Sequence, residues 1–101
     1  MTLATGIIIP LDRIAEVCRR YHVRQLGLFG SAARNEMRPD SDVDLLVEFL
    51  PGAPIGLFEF DDLERELSSL LSVKVDLVSK RGLKPLVRPG VLNDLKVLYE
   101  V

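Results

Sequence analysis

The most constraining feature of the sequence is an apolar segment at residues 43–50 that carries acidic side chains at alternate positions. Successive side chains of a β-strand point to opposite faces. One face would be wholly apolar: Val43, Leu45, Val47 and Phe49. The other would carry three acids and a leucine: Asp42, Asp44, Leu46 and Glu48. The segment therefore predicts a strand that packs one face on a core and presents a chemically distinct face opposite.

Helical and strand patterns surround this segment. Helical spacing predicts a helix over 10–21, and a second over 57–70 carries an apolar stripe: Leu57, Phe60, Leu63, Leu67 and Leu70. Alternation predicts strands at 24–29 and 73–78, and residues 31–36 suit a turn or two of helix. In the tail we expect a short helix over 85–94, interrupted at Pro89-Gly90. Residues 96–101 either continue this helix or pair as an edge strand, and we favour the strand. These elements predict an α/β (α+β) fold.

Length and composition limit the class of protein. A chain of 101 residues fits a single domain, residues 1–101. Its 48% hydrophobic and 28% charged content is that of ordinary globular proteins, which excludes disordered and collagen-like classes. The longest apolar run is too short to span a bilayer, and the first ten residues lack the pattern of a signal peptide. We therefore expect a cytoplasmic protein that does not interact with membranes.

Charge is distributed unevenly along the chain. Nine acids and one base lie between residues 40 and 66, whereas five bases and one acid lie between residues 74 and 88. The bases of this second segment are Lys74, Lys80, Arg81, Lys84 and Arg88. An acidic centre beside a basic strip suits a cation-bridged polyphosphate, whereas duplex nucleic acid would normally need a broader positive face. Duplex binding is therefore disfavoured, and the last three bases fit a solvated face and a partner or nucleotide rim equally well.

The acids of the strand have the spacing of a metal site. Asp42 and Asp44 stand two residues apart, so their Cα atoms would lie about 6.6 Å apart on one face. Carboxylates select Mg²⁺ or Mn²⁺, whose shells are usually completed by phosphates and water. Gly30 lets the backbone come close to a ligand, and Ser31 lies where the predicted helix begins, so its amide and hydroxyl could hold the β- and γ-phosphates. Asp76, on the predicted strand at 73–78, would supply a third carboxylate.

The segment GLFGSAARNEMRPDSDVDLLVEF resembles the G-S-x10-D-x-D signature of the DNA polymerase beta nucleotidyltransferase superfamily. Ten residues separate Ser31 from Asp42, as in the minimal nucleotidyltransferases, the MNT antitoxins of HEPN and MNT toxin-antitoxin pairs. The likeness covers nearly the whole chain, since VKVDLVS resembles the third-carboxylate strand and the tail resembles the family's last segment. Asn35 departs from the glycine of many relatives, and asparagine tolerates the left-handed conformation expected there.

The resemblance implies a nucleotidyltransferase fold, a small mixed sheet with helices packed on one face. It also implies that Asp42 and Asp44 bind two Mg²⁺ ions and that Asp76 completes the catalytic one. Gly30, Ser31 and Arg34 would contact the nucleotide, although a solvated turn arginine is as good a reading of Arg34. By the same resemblance, AMP from ATP would be transferred to a tyrosine of a HEPN RNase toxin. A hetero-oligomer with the toxin is one arrangement that this allows.

Two rival functions remain open at this stage. One is a non-catalytic binding module that occludes its toxin and merely retains the acids. The other is a nucleotidyltransferase for a small molecule such as an aminoglycoside, which is disfavoured because such enzymes usually need an additional acceptor-binding domain. Leu57, Phe58 and Phe60 are interpreted as core and oligomer contacts rather than as an adenine pocket.

Overall fold

The computed structural model describes residues 1–3, 5–38 and 40–101. Over these residues the chain forms four α-helices and four strands that alternate along most of its length. In chain order they are α1 (Leu11–Arg20), β1 (Val23–Phe29), α2 (Gly30–Ala33), β2 (Val43–Phe49), α3 (Leu57–Leu71), β3 (Val75–Ser79), α4 (Arg88–Asp94) and β4 (Lys96–Glu100). A single 3-10 turn, Lys80–Gly82, follows β3.

The four strands form one mixed sheet in the order β3-β2-β1-β4. β1 runs antiparallel to both β2 and β4, whereas β2 and β3 are parallel. The parallel pair is joined through α3, the crossover helix that parallel strands require. The mixed sheet and the predicted edge strand of the tail are therefore confirmed.

The two longer helices, α1 and α3, pack on the face of the sheet that the alternation predicted. Val43, Leu45 and Val47 of β2 are fully buried there, in one cluster with Leu63 and Leu67 of α3. Burying side chains of this size contributes roughly 1.5–3 kcal/mol each, so this face supplies most of the driving force for folding. The helical stripe of α3 and the apolar face of β2 are thus two sides of one core.

The predicted core contacts at the start of α3 are wrong. Leu57 and Phe58 are 88% and 86% exposed, because they begin α3 and precede the buried stripe, which starts at Leu63.

Leu46 lies on the face of β2 that was predicted for it, with Asp44, and it is buried because that face is covered beside it. Its cross-strand partner is Gly27, where an added Cβ would lie 2.5 Å from Cδ1 of Leu95. The segment that enters β4 therefore packs against the second face of the sheet.

The outer edge of β3 is held by side chains of α3. The amide of Val75 donates to the Ser68 hydroxyl at 3.1 Å, and the amide of Leu77 donates to the Glu64 carboxylate at 2.8 Å. Unpaired backbone groups at the edge of a sheet can pair with strands of other chains. Here side chains of α3 accept hydrogen bonds from two of these edge amides. These two bonds flank Asp76 and fix the strand segment that carries it.

The tail differs from its prediction at one point. α4 contains Pro89 and Gly90 rather than being interrupted by them, because proline is tolerated in the first turn of a helix. No helix in the described part of the chain is long and apolar enough to cross a membrane.

Candidate active site

The site begins where β1 ends against β2. Phe29, the last residue of β1, pairs with Asp44, and Gly30 follows with φ +69°. A Cβ built on Gly30 would overlap the Oδ2 atom of Asp44. Glycine is needed here for two separate reasons: the left-handed backbone and the close approach to a carboxylate.

The parallel pairing of β2 with β3 brings the acid of β3 next to an acid of β2. Asp44 and Asp76 are direct partners on β2 and β3, and neighbouring strands lie about 4.8 Å apart. Paired positions point to the same face of a sheet, as do positions two apart on one strand. Asp42, Asp44 and Asp76 therefore share the face that lies opposite the main core.

The three carboxylates do not form a closed metal cage. Within residues 1–3, 5–38 and 40–101, no three Asp, Glu, His or Cys side chains are grouped so as to hold an ion on their own. Asp76 is exposed and Asp44 is half-buried. Such an open arrangement is what Mg²⁺ usually occupies, because it is held by one or two carboxylates together with substrate phosphates and water. The three-ligand site stays a prediction.

The electrostatics of the face favour a cation. Burial raises the pKa of the Asp44 carboxyl above its ordinary value, and the charges of Asp76 and Asp42 raise it further. The charge of Arg34 acts in the opposite direction. Burying a carboxylate beside like charges is unfavourable unless a positive partner is supplied, and a divalent ion would supply it. The donor set and its charge therefore fit Mg²⁺.

Asp42 has a positive neighbour at the rim of the site. The ammonium of Lys74 lies 3.7 Å from Asp42 Oδ2, with 78% and 43% of the two side chains exposed. Exposed ion pairs of this kind contribute about 0–1 kcal/mol, so the contact is readily exchanged for a stronger ligand. Lys74, which shares the predicted strand of Asp76, thus lies beside the acids.

Ser31 lies in α2, directly after the glycine. The helix is four residues long and is anchored by the buried side chains of Ala32 and Ala33. One turn has a small macrodipole, so only the amide and hydroxyl of Ser31 itself are available to a phosphate, and that contact stays a prediction. Asn35, beyond the helix, has φ +57°, which confirms the left-handed conformation expected for it.

Arg34 is engaged in ion pairs. Its Nη1 atom donates to Asp94 Oδ2 at 2.6 Å and its Nε atom donates to Glu36 Oε2 at 3.1 Å. Both hydrogen bonds raise the pKa of the guanidinium, which therefore stays charged. Since Asp94 belongs to α4, the pair ties the tail to the site. A contact between Arg34 and phosphate would compete with these carboxylates, and it stays a prediction.

Sequence reasoning missed the residues that support the site from outside it. Asp94 lies 60 residues from Arg34, and Glu64 and Ser68 serve β3 from a helix. Each reads in the sequence as an ordinary polar residue of a helix. Long-range partners of this kind leave no local pattern that could have revealed them.

The chain matches known proteins over most of its length. Residues 11–98 match the nucleotidyltransferase domain family. The protein adenylyltransferase MntA of Thermococcus cleftensis is 43% identical over 82 residues, which cover 79% of each chain. Two solved structures that are 24% identical to the chain share its fold.

The first of these structures is a toxin-antitoxin with AMP-PNP, which has a TM-score of 0.73 and covers 92% of this chain and 75% of its own. The second is a tri-AMPylated Shewanella oneidensis HEPN toxin in complex with MNT antitoxin. Its TM-score is 0.64, with coverage of 90% and 70%. The predicted nucleotidyltransferase fold is confirmed. The chain is a nucleotidyltransferase and belongs to the nucleotidyltransferase domain family.

Proposed function

We propose that the chain is a Mg²⁺-dependent antitoxin that transfers AMP from ATP to a tyrosine of a HEPN RNase toxin. The observation that carries the proposal is Asp44, which lies against the backbone of Gly30, opposite Asp76, and in the field of two other carboxylates. The relatives support it: one is a protein adenylyltransferase, one was solved with AMP-PNP, and one accompanies an AMPylated HEPN toxin.

Each residue has a defined task in this reaction. Asp42 and Asp44 would hold both ions, Asp76 would complete the catalytic one, and the Gly30 and Ser31 turn would bind the β- and γ-phosphates. Bound Mg²⁺ would neutralise the charge on the α-phosphate. The tyrosine oxygen forms a bond to the α-phosphorus, the bond to the bridging oxygen breaks, and pyrophosphate leaves. The tyrosine proton passes to the Asp76 carboxylate or to water.

The proposal extends to the setting of the reaction. Residues 1–101 would act as one minimal nucleotidyltransferase domain, and the toxin would supply the acceptor and the surface that holds it. We infer a cytoplasmic location, where ATP and an RNase toxin are both present. Neither membranes nor duplex nucleic acid has a part in this account.

Replacing both acids of β2 tests catalysis. In the double variant Asp42→Asn, Asp44→Asn, we expect transfer of label from α-labelled ATP to the HEPN toxin to fall at least about a thousandfold. The reason is that metal ligation typically supplies several kcal/mol of transition-state stabilisation. Toxin binding should persist, because the exchanged atoms are nearly isosteric. Label transfer and toxin affinity are measured on the same samples.

The matched control is Asp12→Asn, Asp62→Asn, which makes the same change of charge on exposed helix surfaces. It should retain transfer. If the double variant still silences the toxin in growth assays, the antitoxin acts by occlusion instead. Turnover on a small alcohol without the toxin would support the small-molecule reading.

Substituting Gly30 separates the two requirements for glycine. Gly30→Ala should lower label transfer by about a hundredfold, because the added Cβ displaces the Asp44 carboxylate and small misplacements are costly. Gly6→Ala is the control, since Gly6 also has positive φ, +87°, but has open space around it. It should melt at a lower temperature yet transfer normally. Equal losses of activity in the two variants would show that backbone strain at a positive φ lowers the activity, and that the contact with Asp44 does not matter.

Removing the charge of Asp44 should stabilise the metal-free protein. Because the folded state raises the pKa of this carboxyl above its ordinary 3.8, the ionised form opposes folding at neutral pH. This cost disappears when the pH falls below 3.8, because the carboxyl is then protonated in both the folded and the unfolded state. In EDTA at pH 7, Asp44→Asn should therefore melt a few degrees higher than the wild type, and the difference should vanish near pH 3.

Asp62→Asn serves as the control for a general charge effect and should change little under either condition. Saturating Mg²⁺ should raise the melting temperature of the wild type and leave Asp44→Asn unchanged. A melting temperature of Asp44→Asn at or below that of the wild type at pH 7 would contradict the account.

A further inference from the structure

A cleft of about 770 Å³ lies at the other end of the parallel strands from the acids. Its walls include Glu48 and Phe49 at the end of β2 and Ser79 and Lys80 where β3 passes into the 3-10 turn. Phe49 lies five residue steps beyond Asp44 along β2, a distance of about 17 Å. The cleft is therefore a separate feature from the catalytic face, yet within the reach of one bound protein.

The cleft carries an excess of positive charge. Four basic residues line it with a single acid: Arg24, Lys80, Arg81, Arg88 and Glu48. The Oε1 atom of Glu48 lies 3.5 Å from the Lys80 ammonium and 4.0 Å from Arg24 Nε, so two of the bases share this one carboxylate. No carboxylate among the described residues lies within ion-pair distance of Arg81 or Arg88, both of which are exposed. A ligand of this cleft would bring negative charge.

The same cleft has an apolar wall. Phe49 and Phe60 meet edge to face with their centroids 6.3 Å apart, and both are half-buried. Leu57, at the rim, is 88% exposed. An almost fully exposed leucine beside aromatic rings and arginines is typical of a protein interface, where apolar anchors lie within a charged rim.

We propose that this basic cleft is the docking surface for the protein partner, which presents an aliphatic or aromatic side chain flanked by carboxylates. Charge complementarity favours acids on the partner, and the apolar wall favours a protein over a nucleic acid, whose phosphates would leave Leu57 uncovered. The inference rests on the proposed function, since the partner docked here is the toxin that presents its hydroxyl at the catalytic face. Docking in the cleft lowers KM for the toxin and leaves kcat unchanged.

The test is the affinity of the purified HEPN toxin for the full chain, by titration calorimetry. Arg81→Glu, Arg88→Glu should bind at least about tenfold more weakly, and the wild-type affinity should fall as salt rises. Arg19→Glu, an exposed reversal on α1, is the control and should bind within about twofold of wild type. Arg81→Lys, Arg88→Lys should retain most of the affinity, and melting curves verify that every variant folds.

Equal affinity of the cleft variant and the wild type, or no binding by the wild type, overturns the docking proposal. A shift of the cleft variant alone from dimer to monomer, with toxin affinity unchanged, assigns the cleft to a second copy and also overturns it. Tight binding of a single-stranded oligonucleotide that competes with the toxin does the same. If the wild type binds the toxin through the cleft but transfers no label, docking stands and the proposed chemistry fails.

Discussion

The candidate site depends on one constraint, the placement of three carboxylates on the same open face of a small sheet. Asp44 sits half-buried between Gly30 and Asp76, and its raised pKa records the cost of holding charge there. The cost is offset by the core on the opposite face, where α1 and α3 cover the apolar side of β2.

The supporting contacts keep that arrangement in place. Ser68 and Glu64 hold the strand on either side of Asp76, and Arg34 ties the tail to α2 through Asp94. The exposed Arg34 pairs add little stability on their own. Together these contacts set where the acids lie relative to the glycine turn. A nucleotide bound there would meet a preorganised face, and positioning supplies much of the catalysis in phosphoryl transfer.

Much of this could be read from the sequence because the governing patterns are local. The alternation in β2 predicts both its buried face and the shared face of Asp42 and Asp44, and the stripe of α3 predicts its burial from Leu63 onward. The strand pattern predicts Asp76 as a third carboxylate, but its pairing with Asp44 is a matter of register between distant strands, which no local pattern fixes. The exposure of Leu57 and Phe58 could not be predicted, because burial at the end of a helix depends on what the rest of the chain covers.

The partners of Arg34 and the clustering of bases around Glu48 could not be predicted either, because these contacts join residues that are far apart in the sequence. Arg24 and Arg88 are 64 positions apart and meet at one cleft only through the sheet order. The sequence predicts the excess of bases in residues 74–88. It cannot decide whether these bases form a solvated face or the rim of a partner or nucleotide site. Only the fold places some of those bases beside an apolar wall.

Counting bound metal ions tests the central claim most directly. Mn²⁺ titrated into the protein with a non-hydrolysable ATP analogue, and followed by electron paramagnetic resonance, should reveal two ions for each chain. Asp76→Asn should reduce the count to about one, because this carboxylate completes the shell of the catalytic ion. An unchanged count in Asp76→Asn, or no protein-dependent binding in the wild type, would contradict the account.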